Sequence, residues 1–199
     1  MSTENNLDKT FNSSVKILSD LIAFKSISGE DNNSIINYCE KIFNDLGAES
    51  FKIYDSDKKR VNLFATLKSK NKNGKKPIIL SGHTDVVPVS KGWSSDPFIA
   101  TIKNEKLYGR GSCDMKGFLA CLLAYAPIFS NSNMDRDLHF SFTFDEETAC
   151  QGAPLLIKEL KKRNIKDAIC VVGEPTNMKI IDAHKAVSYT HLTLPTNTV

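Results

Sequence analysis

What the chain lacks narrows it first. No apolar run approaches the ~20 residues that cross a bilayer as a helix, so no helical membrane span is expected. The opening Met1-Ser2-Thr3-Glu4-Asn5-Asn6 is without the basic and then apolar profile of a secretory signal, which makes the cytoplasm the expected compartment. Cysteine is sparse. Cys39, Cys113, Cys121, Cys150 and Cys170 number five and contain no C-x-x-C pair, which predicts reduced thiols and argues against a disulfide frame or a zinc ribbon. Ten glycines and seven prolines among 199 residues exclude a collagen-like or low-complexity chain, and there is no internal repeat. A formal net charge of +3 is too small for a nucleic-acid footprint, so no nucleic-acid partner is expected. The lysines from Lys68 to Lys76, mixed with Asn71, Asn73 and Gly74, read as a solvated turn.

What remains is a chain of alternating elements. Apolar residues spaced by three and four predict helices over roughly Phe11 to Phe24 and Ser34 to Leu46, each with one buried stripe. Strands are predicted at 49–54 and 61–67, and the run Pro77-Ile78-Ile79-Leu80 leading into Ser81-Gly82-His83 predicts a strand covered on both faces. Short β runs near 98–102 and 106–108 precede an apolar helix that opens at Asp114 and ends near Phe129. A strand over 138–144, a helix over 152–162, a strand over 168–172 and a further strand over 178–187 follow. Such alternation predicts a parallel or mixed sheet with helices on both faces, a three-layer αβα domain, with ligands gathered beyond the C-terminal strand ends.

Six side chains fall at those places: His83 and Asp85 in Ser81-Gly82-His83-Thr84-Asp85, Asp114 in Gly111-Ser112-Cys113-Asp114-Met115-Lys116-Gly117, Glu146 with Glu147, and Glu174 in Gly173-Glu174-Pro175-Thr176. An imidazole with surrounding carboxylates suits zinc, cobalt or manganese, and a carboxylate to spare suits a base that deprotonates water. His83 and Asp85 share one side of an extended segment, so the Asp85 carboxylate can accept from the imidazole edge that faces away from a metal. Each motif alone keeps a plain alternative: a histidine satisfied by a turn, Asp114 as an N-cap, Glu146-Glu147 as a solvated acidic turn. Adjacent carboxylates that share a cleft must differ in role, one binding metal and the other taking a proton. Cys113 reads as a small buried thiol, and Gly109-Arg110-Gly111 lacks the third glycine of a dinucleotide fingerprint.

Taken in order, from about Ile17 to about Val187, these motifs resemble the acetylornithine deacetylase and succinyl-diaminopimelate desuccinylase family of dinuclear metallohydrolases, relatives of aminoacylase and carboxypeptidase G. The resemblance implies a zinc-exopeptidase-like catalytic domain with two divalent ions, zinc or cobalt. It implies His83 and Glu174 as ligands of one ion, Asp114 as the bridging ligand, Glu147 as a ligand of the other, Glu146 as the general base and Asp85 as the partner that orients His83. A cis peptide bond after Asp114 is part of the same implication. Gly111-Ser112-Cys113-Asp114-Met115-Lys116-Gly117-Phe118 and Gly173-Glu174-Pro175-Thr176-Asn177 are closest to acetylornithine deacetylases within the family, which implies hydrolysis of the N-acetyl amide of N-acetylornithine in arginine biosynthesis. Desuccinylase, aminoacylase and dipeptidase remain alternatives, each taking a small N-acyl amino acid or dipeptide.

The resemblance also implies a lid and dimerisation domain, a homodimer, and a last histidine ligand of the second ion, none of which the sequence supplies. The expected domain is therefore residues 1–187, truncated, with Ser188 to Val199 as a non-native tail and a second metal site left incomplete. On this reading the chain by itself is a metal-binding fragment without turnover. His191 lies in that tail, while His139, inside a strand, and His184 read as structural or as supports behind the metal ligands.

Overall fold

The computed structural model describes residues 3–71 and 73–182. In chain order the elements are α1 (Thr3–Ala23), α2 (Asn33–Asp45), β1 (Glu49–Tyr54), β2 (Val61–Leu67), β3 (Ile78–His83), β4 (Thr101–Lys103), β5 (Lys106–Tyr108), α3 (Lys116–Asn131), β6 (Leu138–Thr143), α4 (Gly152–Lys162) and β7 (Ile169–Val172). Strands β4 and β5 form a separate hairpin, and the other five form one sheet in the order β1-β2-β6-β3-β7. Among the described residues no helix is long and apolar enough to cross a membrane.

The sheet is mixed. β1 and β6 run antiparallel to β2, whereas β6, β3 and β7 are mutually parallel, with Ile78 opposite Leu138 and His83 opposite Thr143. The two central parallel strands therefore end level with each other, and the loops after β3, β6 and β7 leave from one edge.

Period two on the strands and 3.6 on the helices sort the apolar residues into a common core. Leu63, Ala65 and Leu67 of β2 and Leu138, Phe140 and Phe142 of β6 face Leu21 of α1, Phe43 of α2 and Leu119, Leu123 and Ala126 of α3. The Phe43 ring stands 4.7 Å from Phe140 and 5.8 Å from Phe142, so truncating it to alanine would cost about 3–5 kcal/mol. The opposite face is covered by α4. There Asn62 Nδ2 donates to the Gly152 carbonyl, and the Arg163 guanidinium lies 3.8 Å above the Phe51 ring, which packs on Phe64. Helices on both faces of the sheet make the expected three layers.

Several boundaries differ from the sequence reading. α1 begins at Thr3, well before Phe11, whose side chain is exposed and off the buried stripe. β3 is only half-buried over Ile78 to Ser81, because its neighbour β7 is exposed along its length; the strand buried at every position is β2. Burial on both faces belongs to a strand that helices cover from both sides, and an apolar run cannot state which strand that is. Phe98 to Ala100 lie in a turn closed by Ile99 N–H on the Asp96 carbonyl, which confines β4 to Thr101–Lys103. Residues 178–182 form no strand, and Ile180 is exposed. The rest of that expected strand, the boundary at Val187, the tail Ser188 to Val199, His184 and His191 lie outside the described residues.

Candidate metal centre

His83 is the last residue of β3, and its position depends on a close approach of that strand to the start of α3. A Cβ at Gly82 would stand 2.7 Å from Met115 Cε and 2.8 Å from Leu119 Cδ2, so only glycine admits both. The His83 backbone N–H points at Met115 Sδ, 3.3 Å away. Asp114 precedes Met115 through a cis peptide bond, as the resemblance implied. This turn holds Asp114 Oδ1 3.1 Å from His83 Nε2. Asp114 is not a helix cap: α3 starts at Lys116, and Met115 occupies the capping position with no side-chain bond to the helix.

Beyond β3 the chain stays tied to β6, with Thr84 N–H donating to the Thr143 carbonyl at 2.8 Å. Asp85 then turns inward. His83 Nδ1 lies 2.9 Å from the Asp85 carbonyl oxygen and 3.4 Å from its Oδ1. The expected carboxylate partner is thus second to the backbone carbonyl of the same residue. The carboxylate is taken up elsewhere: it accepts Ser28 Oγ–H at 2.7 Å and the backbone N–H groups of Glu146 at 3.1 Å and Glu147 at 3.3 Å. With Nδ1 donating to the Asp85 carbonyl, the neutral ring has its lone pair on Nε2, the nitrogen that faces the acids.

Glu146 Oε2 and Glu174 Oε1 each lie 3.8 Å from that nitrogen. Two sets have ligand atoms within 4.8 Å of one another, His83 with Glu146 and Glu174, and His83 with Asp114 and Glu147. Five of the six expected residues thus converge on one point. Asp85 stands behind them. The His83 side chain is 1% exposed and the Asp114 side chain 49%, so a buried imidazole forms the floor and half-open carboxylates the walls.

The electrostatics match a cation site. Burial pushes the Glu147 and Glu174 carboxyls up, and the neighbouring carboxylates, Asp114 foremost for Glu147, add to this against the pull of His83. Burial alone would lower the His83 imidazolium, but Asp85 and Glu174 outweigh it and raise it to about 9. Asp85 is held below its ordinary value because His83, Ser28 and the Glu146 N–H overcome its burial. Among the described residues no lysine or arginine pairs with Asp114, Glu146, Glu147 or Glu174. An acid cluster left with so little positive charge fits a divalent ion, and its nitrogen and oxygen donors suit zinc, cobalt or manganese. A single Nε2 lone pair serves one ion. A second would rest on carboxylates alone among the described residues.

An open cleft of about 190 Å³ adjoins the cluster, lined by Arg110, Ser112, Cys113, Asp114 and Glu147. Cys113, expected to be buried, is exposed here because it sits in the loop before α3 and not on the helix face toward the core. The described cysteines are all free, as expected. His139 is structural, buried with its ring on Phe64 and Nδ1 2.9 Å from Thr66 Oγ1. Sequence reasoning passed over Ser28, Arg60, Asn62 and Asp145, all of which support the site. The one available signal was Asn62, a polar amide near the start of a strand whose other residues, Thr66 apart, are apolar.

An α/β sheet that presents an imidazole and several carboxylates at the C-terminal ends of its parallel strands is the frame of a metallohydrolase. Residues 79–192 match the Peptidase family M20/M25/M40, a family of metal-dependent hydrolases, and the chain belongs to it. Among relatives, it is similar to the acetylornithine deacetylase of Aliivibrio fischeri (strain MJ11), 36% identical over 172 residues that cover 83% of this chain and 43% of the relative. The chain therefore spans less than half the length of that relative. In fold it is similar to human carnosine dipeptidase 1, with TM-score 0.68, 21% identity, and coverage of 85% of this chain and 40% of that one. It is also similar to an M20 family metallo-carboxypeptidase from Sulfolobus solfataricus, with TM-score 0.67, 24% identity, and coverage of 80% and 37%.

Proposed function

We propose that the complete protein hydrolyses the N-acetyl amide of N-acetylornithine to acetate and ornithine, a step of arginine biosynthesis, as a cytoplasmic homodimer. The observation that supports this most is the convergence of Asp114, Glu146 and Glu174 on His83 Nε2 in a chain whose relatives are named acetylornithine deacetylases. His83, Glu174 and Asp114 would hold one ion, zinc or cobalt, and Asp114 with Glu147 a second. When bound, such ions supply a Lewis acid that lowers the pKa of water and polarises the amide carbonyl.

The chain's own residues do the rest. Glu146 takes the proton from the attacking water, a C–O bond forms as the amide C–N bond breaks, and the same carboxyl returns the proton to the leaving amine. Asp85 holds the His83 tautomer through its carbonyl, and through its carboxylate it places the backbone of Glu146 and Glu147. The complete gene product, assayed on a panel of N-acetyl, N-succinyl and dipeptide substrates, is expected to show its highest kcat/KM on N-acetylornithine. A higher value on any other member would move the assignment to that substrate.

A second reading applies to the 199-residue chain itself. Because one imidazole serves one ion and no second histidine joins the described cluster, this chain would bind metal without turnover. Metal analysis alongside an assay of the same sample tests it, and measurable hydrolysis would refute it.

A further inference from the structure

Glu146 and Glu147 sit on the turn from Phe144 to Gly152, which is closed by its own backbone bonds, Cys150 N–H on the Glu146 carbonyl, Gln151 N–H on the Asp145 carbonyl and Gly152 N–H on the Phe144 carbonyl. Asp145, Ala149 and Cys150 have φ of 51°, 72° and 54°, in the left-handed region that residues with a Cβ adopt at a cost of about 1–2 kcal/mol each. Further support comes from distant parts of the chain. Asn62 brackets the ends of the turn, accepting Phe144 N–H at 3.1 Å and donating to the Gly152 carbonyl at 2.9 Å. The middle rests on Asp145, whose side chain is 2% exposed. Its Oδ1 accepts Gly29 N–H at 2.7 Å, and its Oδ2 receives Arg60 Nη1 at 2.7 Å. Arg60 is itself fixed by Asp55, which accepts from Nε at 2.7 Å, and it lies 5.7 Å from the centre of the Phe144 ring.

We propose that Arg60 is a positioning residue of the metal centre: by pairing with buried Asp145 it sets where the next two residues, Glu146 and Glu147, present their carboxylates to His83. The proposal rests on the metal-site reading above. Asp145 has two anchors for its two oxygens, a backbone N–H and a guanidinium. Removing the guanidinium leaves a buried carboxylate with one of its two anchors, a state that is relieved when the side chain swings out toward water. That movement rotates the residue that leads directly into the acid pair. Among the described residues, Glu146 and Glu147 are otherwise held by the Asp85 carboxylate on their N–H groups, by Cys150 Sγ–H on Glu146 Oε1 at 3.7 Å and by the closure of their own turn. Glu147 is the proposed ligand of the second ion, and Glu146 stands within 4.8 Å of the His83 and Glu174 ligand atoms that serve the first, so a displaced pair alters the centre on both sides.

The test is a titration of this chain with Co²⁺ as the probe, following its visible d–d absorption, for wild type, R60M, R60K, D145N and H83A. Each variant is first shown to be folded by far-UV circular dichroism. R60M is expected to weaken Co²⁺ binding about 10- to 100-fold, the usual scale for groups that orient metal ligands, and to change the intensity of the d–d bands. R60K, which restores a cation beside Asp145, is expected to return the spectrum toward wild type. D145N keeps the side-chain shape but not the ion pair, and it should reproduce R60M; it decides the matter if R60M does not fold. Wild-type affinity and spectrum in folded R60M or D145N, with only the thermal midpoint lowered, would show a merely structural role and overturn the proposal. H83A is the control for the underlying reading: if it binds Co²⁺ as wild type does, the site itself has been misplaced, whatever Arg60 does.

Discussion

Replacing Lys116 with methionine is expected to expose a pH dependence of stability that wild type conceals. His83 and Lys116 are both buried, and their protonation acts in opposite directions. In the metal-free protein the His83 imidazolium is raised from 6.5 to about 9, so the folded state holds this proton more tightly than the unfolded chain does. Its contribution is complete below pH 6.5 and is lost as pH rises through about 9. At about 1.4 kcal/mol per pH unit that loss amounts to roughly 3 kcal/mol. Lys116 donates to the Phe24 carbonyl at 2.8 Å, and burial lowers its ammonium from 10.5 to about 7. Here the unfolded chain binds the proton more tightly, so stability climbs as pH rises from about 7 toward 10.5.

Between pH 7 and 9 the two slopes run against each other, and metal-free wild type should be nearly flat. K116M removes the rising slope and leaves the falling one. Urea unfolding with chelator present, at several values from pH 6.5 to 9, should find K116M losing roughly 3 kcal/mol while wild type changes by less than about 1 kcal/mol. The scan stops at pH 9 because the Cys39 thiol, pushed well up by burial, adds a slope of its own above its ordinary value of 9.0. A flat K116M profile, or one parallel to wild type, would refute the opposition of these two groups.

Other outcomes follow from the same geometry. In the complete protein Glu146→Gln should retain metal while turnover falls about 10²-fold or more, whereas Glu147→Gln should lose metal; the reverse pattern would exchange their roles. Equilibrium dialysis of this chain should find one ion bound more tightly than any second, since only one set can use His83 Nε2, and two equally tight ions would contradict it. That ion needs His83 unprotonated, so its apparent affinity should rise about tenfold per pH unit and level off near pH 9, as a competition titration with a chromophoric chelator would read. Gly82→Ala places a methyl 2.7 Å from Met115 Cε and should cost about 1–3 kcal/mol in denaturant unfolding, with weakened metal binding because Met115 follows Asp114.

The sequence by itself determined most element types, the three-layer class and the six candidate residues at the strand ends. Those features are local: periodicity reports which face is buried, and His83, Glu146 and Glu174 follow apolar runs whose ends mark strand ends. Only the tertiary structure decided which strand is buried on both faces, because that depends on the order β1-β2-β6-β3-β7 and on where the helices lie. The partners of Asp85 were equally out of reach, since Ser28 and the Glu146 N–H meet it across 57 and 61 residues of chain. In the sequence Arg60 is one more cation beside Lys58 and Lys59, and Asp145 the first of three acids. What separates them from their neighbours is a 2.7 Å contact across 85 residues, and contacts of that range are made by folding, not by spacing.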